Sequence, residues 1–476
     1  MSRHRVEYAD KGRVAQASSL QKQKEKERLS ARDAALLVLR EVELQDAYVN
    51  LALNRMLGSM AFSSNERALL TELAYGVLQR LNTLDWALSL YLDRPLPKLT
   101  PWIRNILRIG AYQLCYLRRI PPPAAVDEAV KQAHRYGHHG VASLVNAILR
   151  KLEKTKEKLP WPSRRRSPEL YLSLYYSYPQ WMIHRWLAEF GLKETEALCA
   201  AGNEPAPLTV RANSLRLNRH ELAEKLKYEG VETLELPFAG AGLQIKINRR
   251  LEELECFQRG LFQVQGEASM LVAPLLNPQP GEMVLDLCSA PGGKTVHLAE
   301  LMQNRGTVIA ADLHPHRLKL VEATARRQGV GIIFTEKLDG RHMPAEKQGC
   351  FHRVLLDVPC SGLGVLRRKG DLKWRRQPED IPALAHLQHE LLRGAFTAVR
   401  PGGVLLYSAC TFEPEETTEV IKKFLNREPS AYLSFLSPLL PPSLSKEEKA
   451  EGMLQLWPQH HDLDGFFIAR IRKKDR

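Results

Sequence analysis

The stretch "VLDLCSAPGGKT", Val284–Thr295, decides the fold class. Apolar residues around Asp286 read as a buried strand. Pro291, Gly292 and Gly293 form a turn, and a helical stretch follows. The rhythm repeats downstream. After "MVLDLC" (Met283–Cys288), the strand-like runs are "TVIAAD" (Thr307–Asp312), "GIIFT" (Gly331–Thr335), "RVLLD" (Arg353–Asp357), "GVLLYS" (Gly403–Ser408) and "FFIARI" (Phe466–Ile471). Helical stretches lie between them. Leu384, Leu387, Leu391, Ala395 and Val399 recur on one helical face, Pro315 suits a first helical turn and Gly329 a position just past a helix end. Strands alternating with helices predict a doubly wound parallel sheet, a Rossmann-like α/β domain over 258–476.

Ligands of such sheets bind at the carboxyl ends of the strands. Two nucleotide readings fail on spacing: a phosphate-binding loop ending in Gly293-Lys294-Thr295 needs glycine where Cys288 stands, and no G-x-G-x-x-G follows the first strand. Asp312 ends the second strand, where a carboxylate accepts hydrogen bonds from both hydroxyls of an adenosine ribose. S-adenosylmethionine, which has no pyrophosphate to cradle, is the better ligand; a helix cap is the competing role for a single aspartate. Asp339 follows the third strand, within reach of an adenine, and Asp357 ends the fourth, facing the reacting base.

"LLDVPCSGLG" (Leu355–Gly364) and "LLYSACTFEPEE" (Leu405–Glu416) each place a cysteine after a strand, Cys360 and Cys410. A lone cysteine is ordinarily a buried thiol. Two at one rim of a sheet point to thiolate chemistry. C5 of cytosine is a poor nucleophile; a thiolate adding to C6 makes it electron-rich, so that it takes a methyl group, and loss of the C5 proton expels the thiol. Asp357 suits a hydrogen bond to the base around N3 and N4. The target must be unstacked, as in single-stranded or flipped RNA.

The rest of the chain fits an RNA partner. Among 476 residues the net charge is +14, a balance that favours a polyanion through counterion release. Basic residues cluster in "SRRRS" (Ser163–Ser167) and in "LRRKGDLKWRR" (Leu366–Arg376), where Trp374 stands among Arg367, Arg368, Lys373, Arg375 and Arg376. A charged groove with an aromatic face suits unpaired nucleic acid, and a solvated loop is the alternative. The seven cysteines include no Cys-x-x-Cys pair, against a disulfide framework or a structural zinc site, so no metal is expected. No apolar run reaches membrane-span length and the N-terminus has no apolar signal core; a cytoplasmic protein, with no membrane partner, is expected.

Residues 1–29 read as a flexible basic arm. From Ser30 the pattern is helical: "SARD" (Ser30–Asp33) and "SSNE" (Ser63–Glu66) fit capping boxes ahead of apolar periodic runs, and an all-α domain is expected over 30–155. "KEKLPWPSRRRSPEL" (Lys156–Leu170) is a linker candidate. It opens a small α+β segment over 156–257, with a helix after Pro179, a strand in "PLTVRAN" (Pro207–Asn213) and a helix ending at Gly230.

Taken together, "LDLCSAPGGKT", "LLDVPCSGLGVLRRKGDLKW", "YSACTFEPEE" and "DGFFIARI" resemble the motifs of the RNA 5-methylcytosine methyltransferases. "PPPAAVDEAVKQA" with "VNAILRKL" resembles the RNA-binding domain of the antitermination factor NusB, and "YYSYPQWMIHRW" with "PLTVRAN" resembles the segment and small domain found between the two. The resemblance implies S-adenosylmethionine contacts from Cys288, Ser289, Ala290, Pro291, Gly292, Gly293 and Lys294, and from Asp312, Asp339 and Asp357. It makes Cys410 the nucleophile, assigns Cys360 to resolving the adduct, and has Asp357 contact both base and cofactor. It implies 16S rRNA, free or in an assembling small subunit, as partner, the cytosine conventionally numbered 967 as target, and a monomer. Ala409 stands where the family usually has Thr, Gly266 where an acidic residue is common, and Thr417 where Asn is usual. The alternatives are a tRNA or large-subunit rRNA cytosine methyltransferase, an RNA-binding protein with a degenerate catalytic domain, and a nucleophile at Cys360, as in DNA cytosine methyltransferases.

Overall fold

The computed structural model describes residues 29–448 and 451–475. The expected basic arm lies outside the described residues except for Leu29. The described residues divide into two compact units, one up to Ser167 together with Ser173–Ser177, the other Pro168–Leu172 together with the residues from Tyr178 onward.

The described part of the first unit is helical. Its helices include Ala31–Gln45, Val49–Ser59, Ser64–Gln79, Leu81–Ser89, Pro101–Tyr116, Pro122–Tyr136 and His139–Thr155. Pro101–Tyr116 is enclosed by its neighbours, with Ile106, Leu107, Ile109 and Ala111 buried among Leu73, Val77, Val126 and Leu149. Its buried Arg108 is neutralised by both oxygens of Asp85, at 2.7 Å each. The second expected capping box is complete: Glu66 N donates to Ser63 Oγ and Ser63 N to the Glu66 carboxylate. The first is half formed. Asp33 N donates to Ser30 Oγ, but the shorter Asp33 carboxylate accepts from Ser30 Oγ, Gln132 and Arg135 in place of the Ser30 backbone N–H.

The second unit holds two sheets. After the helix Gln180–Ala201, interrupted at Gly191, come strands β1 (Thr209–Ala212), β2 (Glu232–Glu235), β3 (Gly242–Lys246) and β4 (Phe262–Val264). They form an antiparallel sheet in the order β2-β3-β1-β4, running past residue 257 to Val264. The helix Arg219–Tyr228 buries Leu222 and Leu226 with Val210, Leu243 and Phe262.

The larger sheet contains β5 (Met283–Leu287), β6 (Thr307–Asp312), β7 (Ile333–Lys337), β8 (Phe351–Asp357), β9 (Val399–Ala409), β10 (Ala431–Leu433), β11 (Met453–Leu456) and β12 (Phe466–Lys473). Its order is β10-β12-β9-β8-β5-β6-β7, with β11 on β12. β5 through β9 are parallel, and their central members are buried on both faces, as the continuous apolar runs require. The expectation of a parallel sheet fails at β12, which runs antiparallel to β9, β10 and β11, so the sheet is mixed. A strand buried on both faces has the same apolar run in either direction, so periodicity carries no sign of polarity. Strand order reverses between β5 and β8, the topological switch point where open α/β sheets bind ligands.

Candidate functional site

Every strand from β5 to β9 delivers chemistry at the carboxyl rim. The turn after β5 is bent back on itself: Cys288 has φ 71° and Gly292 φ 102°. A Cβ on Gly292 would lie 3.0 Å from the Val321 backbone, so this position needs glycine for conformation and for space. Ser289 N donates to Ala311 O at 2.9 Å, pinning the turn to β6. The helix Gly293–Leu301 begins at this turn and aims its N-terminal end at the rim.

Asp286 is buried at the end of β5, and Thr295 Oγ1 donates to its Oδ2 at 2.6 Å. Burial, with Asp357 and Asp312 nearby, pushes its carboxyl up to about 7. Asp286 Oδ1, Ser289 Oγ and Asp312 Oδ2 are buried without a hydrogen-bond partner among the described residues. Asp312 Oδ1 accepts from His314 N at 2.9 Å, and Arg317 Nη1 lies 3.3 Å from its Oδ2. Buried polar atoms are costly to leave unmade, and three of them around a glycine turn fit a polar ligand such as an adenosine with an amino-acid tail. Asp339 is engaged by Arg341, whose Nε and Nη2 donate at 2.9 and 2.7 Å. That pairing holds its carboxyl far below the usual carboxylate range.

Asp357 stands at the switch point. Lys294 Nζ donates to its Oδ2 and Ser408 Oγ to its Oδ1, both at 2.7 Å. Lys294 thus reaches across the rim to Asp357, and its ammonium also lies 5.3 Å from the Phe466 ring. The two cysteines meet: Cys360 Sγ and Cys410 Sγ are 3.3 Å apart, both partly exposed. The hydrogen bond from Cys360 lowers the Cys410 thiol against burial and Asp357, and Lys294 and Lys369 help. Cys360 is pushed up by the same bond and by burial. The surroundings therefore push the two thiols apart, Cys410 toward ionisation and Cys360 away from it.

The cysteine segments are anchored by main-chain contacts. Gly364 N donates to Cys410 O at 3.0 Å, and Gly465 N to Gly364 O at 2.7 Å. A Cβ on Gly364 would sit 1.9 Å from Gly465 O. Arg376 donates to Ser361 O and Cys360 O at 2.8 and 3.2 Å. Thus the basic run 366–376 is largely internal, which corrects its reading as an open RNA groove. Arg367 pairs with Asp462 and Arg368 with Asp464; Lys373, fully buried, donates to Asn203 and lies over Tyr178; Arg375 pairs with Asp371. The partners that neutralise it are distant in sequence. At Gly266 a Cβ would fall 2.9 Å from Asp464 Oδ2, so the carboxylate beside Arg368 comes here from Asp464.

Sequence reasoning did not single out Ser408 or Glu416, and placed Arg376 only in the basic cluster. A serine inside an apolar strand, and acidic residues after Pro414 in a buried segment, were the available signals. No group of three or more potential metal ligands occurs among the described residues, and no helix there is long and apolar enough to cross a membrane.

Comparison with known proteins agrees with this arrangement. The model of the 16S rRNA methyltransferase RsmB/F family matches residues 273–472, that of the NusB family residues 29–154, and a ferredoxin-like domain of RsmF/B-like methyltransferases residues 178–252. The probable ribosomal RNA small subunit methyltransferase B of Bacillus subtilis is 38% identical over 94% of this chain and 99% of its own. Its namesake in a Synechocystis species is 37% identical over 94% of this chain and 100% of its own. The crystal structure of PH0851 superposes with a TM-score of 0.78 at 27% identity, covering 94% of this chain and 99% of that one. The chain belongs to the 16S rRNA methyltransferase RsmB/F family.

Proposed function

We propose that the protein methylates C5 of one cytosine in 16S rRNA, the position conventionally numbered 967, through a covalent bond between Cys410 and C6. The observation that carries this reading is the pair of thiols 3.3 Å apart beside Asp357, at the carboxyl ends of β8 and β9. S-adenosylmethionine, when bound, supplies an electrophilic methyl group. The turn Cys288–Lys294 with Asp312 and Asp339 would hold it, and the oxygens of Asp286 and Ser289 that lack a hydrogen-bond partner among the described residues, with the Asp312 oxygen that faces Arg317, fit its polar groups.

The Cys410 thiolate adds to C6, breaking the C5–C6 double bond and placing electron density on C5. Asp357, oriented by Lys294 and Ser408, accepts a hydrogen bond from the exocyclic amine of the base. After methylation the C5 proton passes to water, its electron pair re-forms the C5–C6 double bond, and the C6–S bond breaks with its electrons returning to Cys410 as thiolate. Cys360 acts in this elimination. The NusB-like helical domain and the net charge of +14 supply affinity for the rRNA or for an assembling small subunit.

The test is a denaturing gel with a 16S rRNA fragment and cofactor. Cys360→Ala should accumulate a covalent protein–RNA adduct and Cys410→Ala none; the reverse pattern refutes the assignment. Bisulfite sequencing of 16S rRNA from a strain lacking the protein should show one methylcytosine lost, and loss of none rules out the substrate.

A further inference from the structure

One buried carboxylate joins the two segments that carry the cysteines. Glu416 is fully buried. Its Oε1 accepts from Ser361 N at 2.8 Å and from Gln388 Nε2 at 2.9 Å, and Thr411 Oγ1 donates to its Oε2 at 3.2 Å. Ser361 follows Cys360 and Thr411 follows Cys410, so a single side chain spans both. Gln388, also fully buried, donates to Pro359 O at 2.9 Å, so both neighbours of Cys360 are held. Tyr407 OH donates to the Glu416 carbonyl at 2.7 Å, which ties the acid to β9 just before Cys410. Ser361 Oγ and Thr411 Oγ1 close the loop at 3.0 Å.

The geometry points to Glu416 as a positioning residue for the methyl transfer: it holds Cys360 against Cys410 at the separation the elimination step uses. The inference rests on the thiol mechanism proposed above. A purely structural clamp does not require a charge here. The donors described at its carboxylate are neutral, and glutamine could satisfy the same three partners, its amide donating to Thr411 Oγ1. Burying an acid is costly, and a neutral glutamine would make the same contacts without that cost. The bond to Cys410 and burial push the Cys360 thiol up, and Glu416 adds to the same push. The cations Lys294 and Lys369 act on Cys410. Asymmetry between two otherwise similar thiols follows from which charges face each.

The experiment compares Glu416→Ala, Glu416→Gln and Cys360→Ala in the full chain, with an rRNA fragment and S-adenosylmethionine. Glu416→Ala should lose roughly 10- to 100-fold in turnover, the scale of a small misplacement of reacting groups, with KM for RNA little changed. It should also trap adduct on a denaturing gel, as Cys360→Ala does. Glu416→Gln should restore most of the turnover while alkylation of Cys360, mapped by mass spectrometry, shifts to lower pH. Wild-type turnover in Glu416→Ala overturns the inference, and so does loss of adduct together with loss of cofactor binding. If Glu416→Ala does not fold, Glu416→Gln decides, because an unshifted Cys360 alkylation profile overturns it. If Cys360→Ala itself traps nothing, the thiol mechanism fails; if it traps adduct and the foldable Glu416 variants behave as wild type, only the role of Glu416 falls.

Discussion

Replacing Arg211 by Met tests how the small sheet is fastened to the cofactor helix. Arg211, on β1, and Glu300, on the helix Gly293–Leu301, have side chains 0% and 1% exposed. Arg211 Nη1 and Nη2 donate to the two oxygens of Glu300 at 2.8 and 3.0 Å, and its Nε to Gln265 at 3.0 Å. Methionine keeps much of the volume but leaves Glu300 with one described donor, Ser214 N, at 3.4 Å. Removing one partner of a buried pair costs about 3–5 kcal/mol. For a unit of this size that lowers Tm by roughly 6–20 °C. The loss should depend on pH. Burial raises the Glu300 carboxyl and Arg211 opposes the rise. Without Arg211 the carboxyl moves further up, so above the unfolded glutamate pKa the folded state binds more protons than the unfolded one. Stability then falls as pH rises through that window, by up to about 1.4 kcal/mol per pH unit, and the deficit shrinks toward acid. Scanning calorimetry at pH 6 and pH 8 measures this, using the transition that S-adenosylhomocysteine shifts upward to identify the cofactor-binding unit. Replacing both partners, Arg211→Met with Glu300→Leu, should recover part of the loss. A Tm drop below about 3 °C, or a deficit that grows toward acid, refutes the reasoning.

Four further outcomes follow from the site. Lys294→Met removes the ammonium on Asp357 and a cation that favours the Cys410 thiolate, so iodoacetamide alkylation of Cys410 should move to higher pH; an unchanged profile contradicts the electrostatic assignment. Gly292→Ala forces a side chain into φ 102° against Val321, costing about 1–2 kcal/mol and weakening cofactor affinity measured by calorimetric titration. Gly364→Ala puts a methyl group onto Gly465 O and should separate the segment after Cys360 from Cys410, abolishing adduct formation while cofactor binding persists. Diamide, which takes two electrons and two protons from a thiol pair, should join Cys360 to Cys410 and block activity until dithiothreitol is added; peptide mapping that finds either thiol free after treatment contradicts the 3.3 Å separation.

Much of the site was legible because its signals are local. Asp286, the Cys288–Lys294 turn and the following helix form one continuous stretch, Asp286–Leu301, and their strand–turn–helix pattern is written in apolar spacing and glycine. Asp312, Asp357 and Cys410 could be placed at one rim because a parallel sheet puts all its strand ends on the same side. The resemblance to the family motifs implied roles that spacing leaves open, above all which thiol is the proposed nucleophile.

What only the tertiary structure decided involves partners far apart along the chain. The direction of β12 depends on its pairing with β9, and an apolar run buried on both faces reads alike either way. The basic run 366–376 looked like an RNA groove because charge is visible in sequence and its neutralisation is not. Asp462 and Asp464 stand nearly a hundred residues beyond Arg367 and Arg368. Glu416 joins Ser361 and Thr411 only once β8 and β9 lie side by side. Local patterning determines elements and turns; long-range packing determines which charges meet, and here that makes the surroundings of two neighbouring cysteines unlike.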